Sequence, residues 1–143
     1  MSRIQGRDTA PEMLIRRGLH ARGLRFRLHD RRLPGTPDLV FGPRRAVVFV
    51  HGCFWHGHDC PFGVRPRTNT GFWAEKIERN RTRDEEAERR LHADGWRVAT
   101  VWECALKGRL RRPIDAVLDE VAAFLAGGAA RIELRGGEDP ATV

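Results

Sequence analysis

Apolar positions recur at helical spacing in some stretches of the chain and at strand spacing in others. The alternation of element types indicates a mixed sheet with helices packed on it, an α/β or α+β fold in three layers. The first helix is predicted to begin near Thr9, the longest to cover residues 72–94 and the last to follow Pro113. The predicted strands cover residues 24–28, 38–41, 46–50 and 96–102, with an edge strand at 131–134.

Glu12, near the start of the first helix, has two interpretations. Thr9-x-x-Glu12 has the form of a capping box, in which two side chains bond each other's backbone N–H groups. Pro11 lies in the first turn, where its missing N–H costs nothing, and Gly23 is the predicted end of the helix. Capping explains Glu12 fully, so an active-site function for it has to rest on another observation.

Length and composition bound the architecture. The 143 residues suit one domain, predicted at 1–135 with a short N-terminal arm at 1–8 and a flexible tail at 136–143. Hydrophobic residues make up 41%, enough for a core, yet no apolar run reaches the roughly 18 residues of a membrane span. The first residues do not resemble a signal peptide. We therefore expect a cytoplasmic protein that does not enter a membrane.

The chain is strongly basic. It has 26 Lys and Arg against 19 Asp and Glu, a formal net charge of +7. Codon bias explains why nearly all the cations are arginine, but not why cations outnumber anions. Such an excess favours a polyanionic partner, most commonly nucleic acid. The charge predicts binding and does not by itself predict catalysis.

A dense group of metal-binding residue types follows the strand at 46–50. Residues 51–60 contain two cysteines and three histidines, and the only other cysteine follows the strand at 96–102. Zinc favours four tetrahedral sulfur and imidazole ligands, and an odd number of cysteines argues against a disulfide framework. We predict a closed, structural Zn²⁺ site, with inert buried cysteines or a catalytic zinc at His56 as alternatives. The predicted ligands are Cys53, His58, Cys60 and Cys104.

A carboxylate and a histidine are also predicted to meet at neighbouring strands. Asp38 begins one predicted strand, and the next strand runs into His51 and His56. Hydrolysis of a phosphodiester needs an activated water and charge stabilisation on the phosphate. Asp38 can hold Mg²⁺, which prefers oxygen ligands, and His56 can take the water's proton. Pro37-Asp38 is also a common turn dipeptide, so this signal is weak on its own.

Three aromatic residues and one helix face are candidates for DNA recognition. Phe54 and Trp55 lie inside the metal loop, and Trp73 lies on the long helix. Aromatic side chains can wedge between base pairs, and stacking on a base is worth roughly 1–3 kcal/mol. The alternative is that all three pack within the protein. Lys76 and Asn80, one helical turn apart, can bond guanine and adenine edges, although a solvated helix face would show the same pattern.

Five motifs match one known family, and two of them, HGCFWH and VWECAL, are together specific enough to make a chance match improbable. The five motifs are LPGTPDLV at 33–40, HGCFWH at 51–56, FWAEKI at 72–77, GWRV at 95–98 and VWECAL at 101–106. With these motifs the chain resembles the very-short-patch-repair (Vsr) DNA mismatch endonucleases. The resemblance runs from about residue 7 to residue 108, roughly three quarters of the chain.

The resemblance implies a restriction-endonuclease-like α/β fold, a mixed β-sheet flanked by helices with a structural zinc. It implies Mg²⁺-dependent nicking of double-stranded DNA, on the strand that carries T in a T:G mismatch and on the 5′ side of that T. Such mismatches arise when 5-methylcytosine deaminates. Mismatch-repair proteins are implied as partners and the nucleoid as the place of action. We expect a monomer, since nicking one strand needs no two-fold symmetry.

The resemblance also assigns functions to individual positions. Asp38 and the backbone carbonyl of Val50 match Mg²⁺ ligands, although the family usually has threonine where Val50 stands. The N-terminal arm is short, which predicts weaker binding or an altered site preference. The zinc ligands match the four already named, and Phe54, Trp55 and Trp73 match intercalating wedges. The remaining matched positions are His56 as the catalytic histidine, Glu12, His51 and Asp84 as its supports, and Lys76, Asn80, Arg3 and Ile4 as DNA contacts.

Two other functions fit parts of this pattern. A related restriction or phage-defence nuclease cutting matched DNA would keep Asp38, His56 and the zinc ligands, and would change the wedge and reading residues. A catalytically silent, zinc-stabilised DNA-binding module has no need of Asp38 near His56. A purely structural zinc protein fits worst, given aromatic residues on a basic chain.

Overall fold

A mixed sheet organises the computed structural model, which describes residues 8–60 and 67–137. Within those residues the sheet has five strands in the order β1-β2-β3-β4-β5. The pairs β1–β2 and β2–β3 are antiparallel, whereas β3–β4 and β4–β5 are parallel. The strands are β1 (Arg27–Leu28), β2 (Leu39–Phe41), β3 (Ala46–His51), β4 (Arg97–Trp102) and β5 (Arg131–Leu134).

Three helices cover the two faces of the sheet, which confirms the predicted three-layer α/β arrangement. Alternate residues of β3 point to opposite faces, so Val48 packs in the core under α1 and α3 while Val47 packs in a second core with Leu91 of α2. Because β3 has an apolar core on each face, its sequence is an almost uninterrupted run of hydrophobic residues. The helices are α1 (Ala10–Ala21), α2 (Thr70–Ala93) and α3 (Ile114–Ala126).

The helix ends follow from the local sequence. Thr9 caps α1, and its Oγ1 accepts the Glu12 N–H at 3.3 Å, as the capping-box pattern predicts. Glu12 returns a hydrogen bond not to Thr9 but to the preceding residue, since its Oε1 accepts the Asp8 N–H at 3.0 Å. The last helix begins after Pro113 and ends before Gly127, as predicted.

The prediction of a strand at residues 24–28 is mostly wrong. Only Arg27–Leu28 pair with β2, because the Leu24 N–H is taken by the Leu19 carbonyl at the end of α1. Gly23 has a φ of +88°, which turns the chain at this point. The alternation itself was informative, since Leu24 and Phe26 do pack against the core.

The edge strand predicted at 131–134 is present as β5. Beyond it, two residues of the predicted tail are tied to the domain: the Gly136 N–H lies 3.2 Å from Cys104 Sγ, and the Gly137 N–H donates to the Leu110 carbonyl at 2.8 Å. The rest of that predicted tail, 138–143, lies outside the described residues. Across 8–60 and 67–137, none of the helices combines the length and apolar character needed to cross a membrane.

The turn before Asp38 depends on a glycine. Gly35 has a φ of +77°, and a Cβ built there would lie 2.8 Å from the Ala87 Cβ on α2 and 3.1 Å from the Phe49 ring. The left-handed backbone and the close approach to α2 both exclude a side chain. Gly35 therefore fixes how the loop that leads into β2 rests on α2.

We expect Gly35→Ala to destabilise the protein by about 2–5 kcal/mol, the sum of left-handed strain and overpacking. The matched control is Gly23→Ala, whose φ is also positive but whose Cβ would meet nothing within 4 Å. That variant should lose only about 1–2 kcal/mol. Urea unfolding of both variants measures the difference, and equal losses would show that the contact with α2 contributes nothing.

Candidate active site and metal centre

The parallel pairing of β3 and β4 brings the candidate residues to one edge of the sheet. His51, at the end of β3, lies opposite Trp102, at the end of β4. The carboxyl ends of parallel strands meet at the same edge, so the loop after His51 and the turn holding Cys104 become neighbours. This is the adjacency on which the predicted four-residue metal site depends.

The structure brings the four predicted zinc ligands together. One ligand atom from each of the four lies within 4.8 Å of the others, and Cys104 Sγ is 3.7 Å from His58 Nδ1. The His58 ring stacks on the Trp102 indole, with centroids 4.0 Å apart and planes 8° from parallel. The Gly136 N–H donates to Cys104 Sγ. The four residues are Cys53, His58, Cys60 and Cys104.

The chemistry of this cluster fits a metal ion. Burial raises the pKa of the Cys53 thiol and of the Cys104 thiol, so thiolates at these positions need a cation to stabilise them. Three sulfurs and one imidazole are the ligand set of closed, tetrahedral sites. Cys53 and Cys104 are buried, which leaves little access for a substrate. The cluster can therefore hold a metal ion in a structural setting.

A separate cavity of about 340 Å³ lies where α1, β2, β3 and α2 converge. Asp38 reaches into it from the start of β2, and its Oδ2 accepts the Val50 N–H at 2.7 Å. The cavity is the meeting place of the predicted catalytic residues. Those lining it are Glu12, Asp38, Val50, His51, His56 and Asp84.

The Asp38 carboxylate is held in unfavourable surroundings. The pKa of Asp38 is raised to about 8, because burial and, to a smaller extent, the nearby Glu12 raise it against the opposing effect of the Val50 N–H. A carboxyl group that is protonated at neutral pH and lies next to a second carboxyl group is typical of a site that receives a cation. The cavity can thus hold a divalent ion against Asp38.

His29 also lines this cavity, although no sequence pattern identified it as a candidate site residue. Its Nε2 lies 2.7 Å from Glu12 Oε2 and 3.9 Å from Asp38 Oδ1, and its side chain is buried. Its backbone has a φ of +46°, an uncommon conformation for a non-glycine residue that is enriched at functional sites. The only sequence signal was a histidine directly after a predicted strand.

Glu12 lies at both of the places considered for it, the start of α1 and the wall of the cavity. One carboxylate oxygen accepts a backbone N–H at the start of α1, and the other accepts from His29 inside the cavity. The side chain is 1% exposed. A buried carboxylate needs such partners, so helix capping and site construction use the same group.

On the far wall of the cavity two histidines share one carboxylate. His56 Nδ1 lies 2.5 Å from Asp84 Oδ2, and His51 Nδ1 lies 3.8 Å from the same oxygen. The two imidazole rings have centroids 3.9 Å apart and meet edge to face. Burial lowers the pKa of His51 well below its usual value, so that ring is neutral. His56 thus has the histidine–carboxylate arrangement of a general base.

The aromatic residues of the loop and of α2 form one cluster. The rings of Phe54, Trp55 and Trp73 have centroids 5.1–5.9 Å apart. Phe72, which the sequence did not single out, packs at 5.1 Å from Trp73 and is 59% exposed. Lys76 Nζ lies 6.0 Å from the centre of the Trp55 ring. The cluster is half-buried and borders solvent, so it combines packing with an accessible apolar surface.

Three of the predicted DNA contacts are Asn80, Arg3 and Ile4. The Asn80 side chain donates from Nδ2 to the Trp55 carbonyl at 2.8 Å, so it ties the metal loop to α2. That contact was not expected from the sequence. Arg3 and Ile4, predicted in the N-terminal arm, lie outside the described residues.

The chain is similar to known DNA endonucleases. A family model described as DNA mismatch endonuclease Vsr matches residues 1–61. A type II nicking enzyme, V.XorIIP of Xanthomonas oryzae pv. oryzae, is 51% identical over 121 residues, which cover 80% of this chain and 89% of that protein. The DNA mismatch endonuclease Vsr of Escherichia coli is 44% identical over 134 residues, 94% of this chain and 86% of that protein.

A further relative is similar over the same extent. The type II nicking enzyme V.NmeAIP of Neisseria meningitidis is 43% identical over 127 residues, 85% of this chain and 91% of that protein. Similarity at this level over most of both chains excludes a shared local motif as its cause. The chain therefore belongs to the Vsr family of DNA mismatch endonucleases, and it is a DNA endonuclease.

Proposed function

We propose that this endonuclease nicks the T-containing strand on the 5′ side of a T:G mismatch, with Mg²⁺ as its cofactor. The observation that carries the proposal is a single cavity lined by Asp38, His56 and Asp84. A carboxylate for the metal ion and a histidine with its own carboxylate are the parts that phosphodiester hydrolysis requires. The relatives named as nicking enzymes and as a mismatch endonuclease support a single-strand break in mismatched DNA.

Asp38 and Val50 would hold the magnesium ion. Asp38 would bind it through the carboxylate, and Val50 through its backbone carbonyl, so the side chain of residue 50 is not needed for this contact. When bound, Mg²⁺ supplies positive charge that stabilises the phosphate and lowers the pKa of a water molecule. The Val50 N–H holds Asp38 Oδ2 in place, which leaves the other carboxylate oxygen directed toward His29.

His56 is the proposed general base. Its Nδ1 hydrogen-bonds to Asp84 Oδ2, which leaves Nε2 as the nitrogen that can accept a proton from the attacking water. Asp84 fixes the orientation of the ring and stabilises the imidazolium that forms. His51 packs edge-on against His56 as a neutral ring and so limits its movement.

Glu12 and His29 are proposed to organise the opposite wall. Their hydrogen bond holds one carboxylate oxygen of Glu12 close to Asp38, so two carboxyl groups face the same part of the cavity. Oxygen atoms arranged in this way suit the water molecules that Mg²⁺ keeps in its coordination shell. Both residues would thus act through the water around the ion and not on the phosphate itself.

We assign the cysteine–histidine cluster to a structural Zn²⁺. The ion would join the loop after β3 to the turn after β4. These segments are far apart in the sequence, since 44 positions separate Cys60 from Cys104. Trp102, which stacks on His58, also lies 5.4 Å from His51 between ring centroids. Loss of zinc would therefore loosen the wall of the catalytic cavity as well as the loop.

The aromatic cluster is proposed to read the mismatch. Phe54, Trp55 and Trp73 would wedge into the duplex, where stacking is weakest beside a mismatched pair. Lys76 and Asn80 would contact base edges in the major groove, and the net charge of +7 would attract the phosphate backbone. Arg3 and Ile4 are proposed as minor-groove contacts of the N-terminal arm. We further propose a cytoplasmic monomer acting at the nucleoid alongside mismatch-repair proteins.

The first prediction of the proposed function concerns the DNA-nicking reaction itself. With Mg²⁺ and end-labelled duplexes, we expect one nick 5′ of the T in a T:G duplex and none in its T:A twin. His56→Gln should slow nicking by about 10²–10⁴-fold, the usual contribution of a general base. Asp38→Ala should abolish nicking while keeping the zinc content and the circular-dichroism spectrum of the unaltered protein. Strand-specific gel mapping gives each result.

Two other results would replace the proposal. Equal cutting of the T:G and T:A duplexes would keep the active site and identify a restriction-type nuclease for matched DNA. No cutting by a protein that retains zinc and binds DNA would identify a silent DNA-binding module.

The second prediction follows from the raised pKa of Asp38, about 8 in the folded chain against 3.8 for the free group. Between these values the unfolded chain has released the proton and the folded chain has not, so stability falls as pH rises from about 4 to 8. Without Mg²⁺, Asp38→Asn should therefore be more stable than the unaltered protein at pH 8, by at least about 1 kcal/mol, and the gap should shrink at pH 5.

Denaturant unfolding at both pH values measures that gap. Adding Mg²⁺ should raise the melting temperature of the unaltered protein and leave that of Asp38→Asn unchanged, because only the carboxylate binds the ion strongly. Asp119→Asn, at an exposed position on α3, is the matched control. A gap that does not change with pH would contradict the burial of an uncharged Asp38.

The third prediction concerns zinc. Purified protein should contain one tightly held Zn²⁺ per chain, measured by elemental analysis, and a strong chelator should unfold it or lower its melting temperature sharply. Cys60→Ser should lose the ion, whereas His20→Gln, an exposed histidine on α1, should keep it. If removal of the ion leaves the melting temperature unchanged, the cluster has no structural function.

A further inference from the structure

We propose that His51, His56 and Asp84 form a second binding site for a borderline transition-metal ion such as Zn²⁺, separate from the cysteine cluster and from the oxygen ligands at Asp38. Occupancy of this site would stop DNA nicking. The inhibitory part rests on the proposed function of His56 as general base. The binding part rests only on the arrangement of the three side chains.

The first observation is the grouping of donor atoms. One ligand atom from each of the three residues lies within 4.8 Å of the others. Both imidazole rings direct Nδ1 toward the same carboxylate oxygen, Asp84 Oδ2. Convergence of two imidazoles on one carboxylate is the arrangement of a three-ligand metal site that keeps an open position.

The second observation is an unsatisfied atom. His51 is 8% exposed, and its Nδ1 is buried without a hydrogen-bond partner among the described residues. Leaving a buried polar nitrogen unpaired costs about 1–3 kcal/mol. The atom lies 3.8 Å from Asp84 Oδ2, too far for a hydrogen bond but close enough for both to bind one ion. A metal ion between them would remove that cost.

The geometry needs only a small adjustment. Bonds of about 2.0–2.2 Å to a tetrahedral ion place the ligand atoms roughly 3.3–3.6 Å apart. The 3.8 Å between His51 and Asp84 is already close to this range, whereas His56 would move about 1 Å from its 2.5 Å contact with Asp84. Metal binding releases any proton that its ligands carry, so a proton between His56 and Asp84 would leave to solvent when the ion binds.

The ligand chemistry separates this site from the magnesium site. Two nitrogens and one carboxylate favour Zn²⁺, Ni²⁺ or Co²⁺, whereas Mg²⁺ prefers oxygen ligands and near-octahedral geometry. Asp38 and the Val50 carbonyl offer oxygen only. Excess Mg²⁺ should therefore not compete effectively for the histidines.

The site is also accessible. His51, His56 and Asp84 line both the 340 Å³ catalytic cavity and a neighbouring cavity of about 460 Å³ between α2 and the β4–β5 edge. An ion could reach the three ligands and keep a water molecule in its open position. Binding through either nitrogen of His56 reduces the basicity of that ring, so the proposed proton acceptor would no longer function.

The experiment begins with tag-free protein in which the cysteine cluster already holds zinc. Equilibrium dialysis against micromolar Zn²⁺ should give a second bound equivalent per chain for the unaltered protein. Asp84→Asn should bind only the first, because a neutral amide is a poor ligand in place of a carboxylate. Asp115→Asn and His20→Gln, exposed positions on α3 and α1, should both retain two equivalents.

Either of two dialysis results would overturn the site: one equivalent for the unaltered protein, or two for Asp84→Asn. Circular dichroism and melting of Asp84→Asn establish that a lost equivalent is not a lost fold. These readouts do not involve DNA, so they test the site even if the proposed nicking activity fails.

The functional half is tested with saturating Mg²⁺ and the T:G duplex. Added Zn²⁺ should reduce the nicking rate by at least about tenfold, within the contribution expected of a general base. A chelator selective for zinc over magnesium should restore it, and further Mg²⁺ should not. Unchanged nicking with two equivalents bound would overturn the inhibitory function.

Discussion

The parallel pairing of β3 with β4 is the constraint on which the two candidate sites depend. Its register sets His51 opposite Trp102, so the chain leaves both strands at the same edge of the sheet. The loop after β3 then carries the histidines and two cysteines to the turn that carries Cys104. Trp102 stacks on His58 on one side and packs near His51 on the other, which links the metal cluster to the catalytic cavity.

The same edge of the sheet holds polar groups in surroundings that disfavour them. Burial raises the pKa of Asp38, and the Nδ1 atom of His51 is buried without a hydrogen-bond partner among the described residues. Such groups reduce the stability of the folded chain unless a cation, a substrate or water satisfies them. Their concentration in one cavity, against two well-packed apolar cores, indicates that this part of the fold is arranged for binding and not for stability.

Sequence reasoning succeeded where one short-range pattern decided the outcome. The apolar runs at 46–50 and 96–102 identify two buried strands. The prediction of Cys104 as a fourth ligand required these strands to be neighbours, and they are. Sequence reasoning failed where tertiary contacts decided: the end of α1 takes the Leu24 N–H, and Asn80 is drawn to the Trp55 carbonyl. His29 was missed because only the folded chain brings residues of α1, β1 and β2 together.

Position 50 shows why the main chain can carry a function that the side chain does not. The Val50 N–H donates to Asp38 Oδ2, its carbonyl is the proposed metal ligand, and its side chain packs against the core under α1 and α3. Threonine, the residue expected from the family resemblance, would present the same backbone groups. The β-branched shape suits a central strand in either case, so the conformation of β3 at this position does not depend on a hydroxyl group.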